Sequence, residues 1–302
     1  MTTPSRSSIV LAEVAVMVMA LIWGINYSVV KFGTTAMRPV AFNGVRVALA
    51  AAALLIIALI WGGARPARRD VISLMALGVL GNGVYQLFFA EGISRTRAGE
   101  AALVVGASPA LIALLGRMAG VERVERRGLI GIALSMFGVA LIVFGRATEG
   151  SGPQGGSLFG DLLVLCGSVC WAIYTVMLVP YTKRLSGFWV IALSMAGGSI
   201  VLLAVGASAI IAIDWTSLSS SAWGAIVYGG LAGLVVAYIL WYRGVKVLGP
   251  TRTALFSNLQ PFIALLVAWI TLREVPTVWQ SVGAATIVGG VLLTRIPAST
   301  EP

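Results

Sequence analysis

Apolar runs of about twenty residues, separated by short polar or basic turns, follow one another along nearly the whole chain. They fall at 10–32, 39–61, 71–94, 98–116, 127–145, 158–180, 187–212, 223–245, 250–271 and 277–295. An α-helix of that length crosses about 30 Å of hydrocarbon, so the pattern predicts ten membrane helices. Polar and aromatic positions inside the runs are few and fall on shared faces: Trp23, Asn26 and Tyr27 in the first run, Asn82, Tyr85 and Gln86 in the third, Trp171 and Tyr174 in the sixth. Spacings of three and four residues bring such side chains to one side of a helix.

The runs also repeat. The stretch from Ala101 to Val124 returns 152 residues later as Thr253 to Pro276, with Pro109 on Pro261 and Glu122 on Glu274. At the same offset Gly81 meets Gly233, Gly92 meets Gly244, Gly131 meets Gly283 and Gly138 meets Gly290, while Trp23 meets Trp171 at an offset of 148. The chain therefore divides into two related halves, 10–145 and 158–295, joined by a Gly-rich linker at 146–157. Five helices is an odd number, so the second half must enter the membrane from the other side. The expected fold is an all-α membrane protein of ten transmembrane helices built as two inverted five-helix repeats, an arrangement that can open one central site to either side in turn.

Composition removes the soluble classes: 59% of residues are hydrophobic and 11% charged, far from a soluble domain. A net charge of +10 could point to nucleic acid, but its distribution does not. With the N-terminus cytoplasmic, 14 of the 21 Lys and Arg fall on the cytoplasmic side, 6 fall outside, and Arg46 lies within a helix. That asymmetry follows the positive-inside rule and predicts a multi-pass inner (plasma) membrane protein with both termini cytoplasmic and no nucleic-acid partner. The first run, from Ile9 to Phe32, exceeds a cleavable signal's core and lacks a small-x-small site, so it is expected to be retained.

Candidate chemistry is sparse. There is no histidine, and the two cysteines, Cys166 and Cys170, sit four apart on the sixth helix, where both are expected to pack as small hydrophobes. No metal or cofactor is expected. No nucleophile with a visible base and no phosphate-binding loop occurs, which argues against an enzyme or an ATP-driven pump. Glu91, Arg95, Arg97 and Glu100, between the third and fourth runs, are expected to pair with one another near an interface, leaving no support for proton coupling. The glycines at every seventh position in the fifth and tenth runs predict a packing seam, within the bundle or in a dimer.

Pro109 and Pro261 each remove a backbone donor near the middle of a run and predict a kink. Matching interruptions in two halves point to a transport site, although a packing kink alone has the same signature. Ser108 and Gln260 stand immediately before the prolines. Arg46, about two turns inside the second run, needs a partner, a wet cavity or a snorkelling route to the interface, and contact with a substrate carboxylate is the sharper alternative. A flat aromatic beside an amide suits a zwitterionic or aromatic solute. These positions define a candidate substrate site of Asn26, Tyr85, Gln86, Trp171, Tyr174, Tyr238, Asn258 and Gln260, with Trp23 as a gate. Trp23 and Trp171 are expected just outward and just inward of the midplane, closing the site from above and below.

The segments WGINYSVVKFG, AALVVGASPALIALLG and TALFSNLQPFIALLVAW, the Glu at 122 and 274, and the glycines closing each half resemble the drug/metabolite transporter superfamily, specifically its EamA-type ten-helix permeases, over residues 10 to 295. Arg117 to Glu122 departs from the apolar lead-in usual before that Glu. The resemblance implies secondary transport of a small metabolite by alternating access, with amino-acid export as the leading expectation. Members similar in framework carry nucleotide-type metabolites or expel toxic cations and drugs. A non-transporting membrane interaction or assembly component is the reading of another class, and it implies a closed, apolar centre. The expected partners are a small-molecule substrate and the lipid bilayer, with monomer and homodimer both open.

Overall fold

Helices follow the apolar runs closely in a computed structural model of the chain, which describes residues 6–120, 126–145, 157–248, 253, 256 and 259–295. They are α1 (Arg6–Ala36), α2 (Pro39–Trp61), α3 (Arg68–Arg95), α4 (Ala98–Met118), α5 (Arg126–Gly145), α6 (Leu158–Thr182), α7 (Gly187–Ile211), α8 (Ser220–Leu248), α9 (Gln260–Leu272) and α10 (Val278–Arg295). Eight of these are long and apolar enough to cross a membrane, and the described parts of α9 and α10 are apolar but shorter. No strand occurs among the described residues. The protein is an all-α membrane protein of two inverted five-helix repeats. Of the Gly-rich linker only Ser157 is described, and Glu122 and Asn258 also lie outside the described residues.

Local chemistry sets several helix starts. Pro39 opens α2 in its first turn, where its missing donor costs nothing. Ser157 accepts from the Gly160 amide at 3.0 Å and Ser219 from the Ala222 amide at 3.2 Å, capping α6 and α8. Helix α4 is broken at Ala107 into Ala98–Gly106 and Ser108–Met118, so Pro109 sits in the first turn of the second piece. Pro261 holds the same place in α9, and a methyl group at Gly106 would sit 3.0 Å from its ring.

One feature escapes the apolar pattern entirely. The central turns of α3, Val79–Val84, and of α8, Tyr228–Val236, are π-helical. The amide of Tyr85 bonds the carbonyl of Leu80, and that of Ala237 bonds Ala232, each five residues back and 152 residues apart in the repeat. A π-turn widens the helix locally and leaves carbonyls free for other donors.

These widened, glycine-rich turns carry the contact between the halves, and they do so reciprocally. A methyl group at Gly78 would lie 1.9 Å from the Ser194 carbonyl oxygen, and one at Gly230 would lie 2.8 Å from that of Arg46. At Gly81 it would lie 2.2 Å from the Tyr174 ring, and at Gly233 it would lie 2.8 Å from Asn26 Oδ1. Further along, Gly92 meets Val164 and Gly244 meets Val16. Each pair is the image of the other at the offsets of 152 and 148, so α3 packs into α6 and α7 of the second half while α8 packs into α1 and α2 of the first. Only glycine permits these approaches, as in close-packed membrane helices generally. Helices α5 and α10 form the second contact: a methyl group at Gly290 would lie 2.5 Å from the Gly131 carbonyl oxygen, and Gly138 and Gly283 each face the other's carbonyl at 2.9 Å. The predicted glycine seam is thus used within the chain.

At one end of the bundle Arg184 grips Asp70 with two hydrogen bonds, 2.6 and 3.0 Å, and stacks over Tyr181. At the other end Thr96 bonds both Glu100 and Asp161, Gln280 donates to Glu100 at 3.0 Å, and Lys31 donates to the carbonyls of Ser94 and Thr96 where α3 ends. Glu274 accepts from the amides of Ala98 and Gly99 at 3.1 and 3.2 Å, capping α4 from the opposite half. The left-handed Arg273 (φ 58°) turns the chain after α9 so that the carboxylate reaches there. Of the expected pairing among the four charges before α4, Glu91 and Arg95 do pair, but Arg97 donates to the Val275 carbonyl and Glu100 faces Gln280. The thiols also depart in part from expectation. Cys166 is exposed on the outside of the bundle and Cys170 half-buried, because the packed face of α6 is turned toward α3.

The glycine contacts predict a graded effect on stability. Gly78→Ala should cost about 1–3 kcal/mol by overpacking against fixed backbone, whereas Gly224→Ala, where a methyl group meets nothing within 4 Å, should leave thermal unfolding in detergent unchanged or slightly raised.

Candidate functional site

Between the two π-helical turns, the side chains of α1, α2, α3, α6 and α8 converge. Arg46 is the centre of the polar part and is 0% exposed. Its Nε donates to Asn43 Oδ1 at 2.8 Å, Nη2 to Gln86 Oε1 at 2.8 Å, and Nη1 to the Gly229 carbonyl at 3.4 Å, while Phe42 lies 5.7 Å below the guanidinium. Asn43 in turn donates to the Gln86 carbonyl at 2.6 Å. Arg46 therefore does not snorkel. It reaches across to a π-helical carbonyl of the other half, and every acceptor that holds it is neutral. Gly229 is required here, because a methyl group at that position would press on Arg46 Cδ at 3.2 Å.

Aromatic rings adjoin this group in an unbroken series. Trp241 packs on Trp23, Trp23 on Tyr238, Tyr238 on Trp171, and Trp171 on both Tyr174 and Tyr85, with centroids 5.4 to 6.2 Å apart. Tyr85 continues to Phe89 and Phe89 to Tyr27. Trp23 and Trp171 both meet Tyr238 edge-on, at 85° and 84°, so the two indoles bracket one ring and do not stand apart across the site. Trp23 is further pinned by its Nε1, which donates to the Gly233 carbonyl at 2.9 Å, a second carbonyl of the α8 π-turn. Tyr85 directly precedes Gln86, whose Oε1 holds the guanidinium, which joins the rings to the polar cluster.

The sequence-predicted residues divide accordingly. Trp23, Tyr85, Trp171, Tyr174 and Tyr238 share the ring series, Gln86 holds Arg46, and Asn26 lies buried against Gly233 with its Oδ1 unpartnered. Gln260 starts α9 with its carbonyl beside Gly24 of α1, and no hydrogen bond joins it to the Arg46 cluster among the described residues. Asn258 lies outside the described residues. Ser108 is buried with its hydroxyl unpartnered. Sequence reasoning missed Asn43 and Phe89. Asn43 carries a usable signal, since it stands three residues before Arg46 in an otherwise apolar helix.

Known proteins similar to the chain are transporters. The EamA-like transporter family matches it twice, over residues 10–144 and 158–296. The uncharacterized transporter YyaM of Bacillus subtilis is 28% identical over 76% of this chain and 76% of its own length. An uncharacterized transporter of Archaeoglobus fulgidus is 27% identical over 91% of this chain and 93% of its own. The probable terminal-alkyne amino-acid exporter of Streptantibioticus cattleyicolor is 25% identical over 92% of this chain and 91% of its own. A crystal structure with 21% sequence identity superposes with a TM-score of 0.66 over 96% of both chains and shares the fold.

The neutral cage around Arg46 is testable through stability. Gln86→Leu strands a buried charged donor and should cost about 1–3 kcal/mol. Combining it with Arg46→Met should recover part of that loss, because a charge no longer needs the missing acceptor. A double-mutant cycle by thermal unfolding in detergent measures the coupling.

Proposed function

The chain belongs to the EamA-like transporter family, and from that premise we propose that it exports small amphipathic metabolites, amino acids foremost, across the inner membrane by alternating access. The supporting observation is the continuous series of rings and amides at the junction of the two halves, with Asn26, Tyr85, Gln86, Trp171, Tyr174 and Tyr238 around it and Trp23 as its gate. Such a surface offers flat apolar contact for a side chain and amide groups for polar ends. Gln260, at the start of α9, and Asn258 are retained in this proposal as polar contributors of the second half. The name of the Streptantibioticus relative favours amino acids among the metabolites that such a surface accepts.

The cycle we infer opens one end of the bundle while the other stays bonded. Asp70 with Arg184 joins the halves at one end, which the distribution of basic residues assigns to the cytoplasm. Thr96 with Asp161, Glu100 with Gln280, and Glu274 on the start of α4 join them at the other. The π-turns and the breaks at Ala107 and before Pro261 are the natural flexing points, since backbone there is already freed from regular pairing.

In proteoliposomes loaded with a mixture of amino acids, the purified protein should catalyse counterflow of at least one apolar or aromatic member. Tyr174→Ala and Tyr238→Ala should each lower that rate about tenfold, in line with the upper end of the roughly 0.5–1.5 kcal/mol of a lost aromatic contact. Unchanged rate and apparent affinity in both well-folded variants would remove this site from the path.

A further inference from the structure

A buried arginine surrounded only by neutral acceptors is an unfinished electrostatic arrangement. The guanidinium stays protonated in any protein environment, and a charge inside a membrane bundle ordinarily faces another charge or water. Arg46 has neither an acidic partner among the described residues nor solvent access. All but four of the chain's carboxylates have described positions, and those within the bundle sit at its ends, at Asp70, Glu100, Asp161 and Glu274. The weakest of its bonds is that of Nη1 to Gly229, at 3.4 Å, long for an N–H···O contact. Nη1 is therefore the donor that an incoming anion would take first.

A second observation at the same place points to the other half of a ligand. Asn26 Oδ1 is buried and accepts no hydrogen bond, although a buried carbonyl oxygen of this kind is normally satisfied. A single point, one bond above the Gly229 Cα, lies 3.7 Å from Arg46 Nη1, 3.7 Å from Asn26 Oδ1 and 3.2 Å from Arg46 Cδ, so the two groups converge on a spot that is closed while the halves are packed. A strong cationic donor and an empty neutral acceptor thus flank the same spot, next to the ring series, whose Trp23 bonds the Gly233 carbonyl beside Asn26. One ligand class complements all three: a carboxylate for the guanidinium, an ammonium for the amide oxygen, and an apolar side chain for the rings.

We propose that Arg46 is the carboxylate anchor of the transporter and Asn26 the acceptor for the ammonium, which makes the cargo a zwitterionic α-amino acid with an apolar or aromatic side chain. The inference rests on the amino-acid reading above and adds its specificity determinant. Quaternary amines and uncharged amides lack the group that Arg46 selects, and the anchor excludes them. When the halves part, the carboxylate displaces the Gly229 carbonyl from Nη1, and in the empty carrier the same carbonyl and the two amides keep the guanidinium satisfied.

The test uses full-length protein in detergent and three probes, L-phenylalanine, L-phenylalaninamide and 3-phenylpropionate, followed by thermal shift as a function of concentration. L-Phenylalanine should bind wild-type protein at least tenfold more tightly than its amide, as expected for one charge-assisted bond. Arg46→Gln should erase that preference, and Arg46→Lys should keep part of it. Asn26→Leu should weaken L-phenylalanine but not 3-phenylpropionate, which has no ammonium. Equal affinity of wild-type protein for L-phenylalanine and its amide overturns the proposal, and this comparison needs no variant to fold. A preference that survives in folded Arg46→Gln overturns it as well. Binding of neither amino acid nor amide, with a shift from tetraethylammonium instead, overturns the amino-acid reading itself.

Discussion

Backbone in hydrocarbon must satisfy its own hydrogen bonds, and the centre of this molecule is arranged around two places where it does not do so in the usual way. The π-turns of α3 and α8 open the regular ladder, and the carbonyls of Gly229 and Gly233 are taken up by Arg46 and Trp23 from the opposite half. Glycines at the same turns let helices of the two halves touch backbone to side chain without an intervening Cβ. Irregular backbone and close approach thus recur in both halves, and at α8 a donor from across the interface joins them. The α8 π-turn owes two of its carbonyl partners to the other half, so there the interface is a condition of the local conformation as much as a product of it.

The ends of the bundle differ from its middle. Ends are held by charged and capping contacts, Asp70 with the half-exposed Arg184 and the buried Glu274 on the start of α4. The middle is held by apolar rings and by neutral amides around one guanidinium, which are costly to expose to lipid but easily rearranged against one another. A protein that must part at one end while remaining joined at the other is served by this division.

Much of this was legible in the chain. Helix limits followed from apolar run length because lipid imposes a length, and α2 spans Pro39 to Trp61 as its pattern required. Repeated glycines in α5 and α10 signalled their contact because only small residues allow it. The rings of Trp23, Tyr85, Trp171, Tyr174 and Tyr238 were recognisable as shared faces, and they do meet. The π-turns were not legible, since one extra residue in a helix shifts no apolar position enough to be seen. Nor could spacing decide the fate of Arg46 or the exposure of Cys166, because both depend on which helix of the other half stands opposite.

Arg46 has an internal mate. At the offset that relates Trp23 to Trp171, its counterpart is Ser194, buried and bonded to the carbonyl of Val190 on its own helix. The carbonyl of Arg46 faces Gly230 as that of Ser194 faces Gly78, so the two positions are equivalent in everything but their side chains. Two identical five-helix units meeting head to tail would have to carry either two guanidiniums at their common axis or none. Joining the units in one polypeptide frees them to diverge, and a single positive charge can then stand beside an axis that the backbone still respects. Covalent fusion, in this molecule, is what makes an asymmetric centre compatible with a symmetric frame.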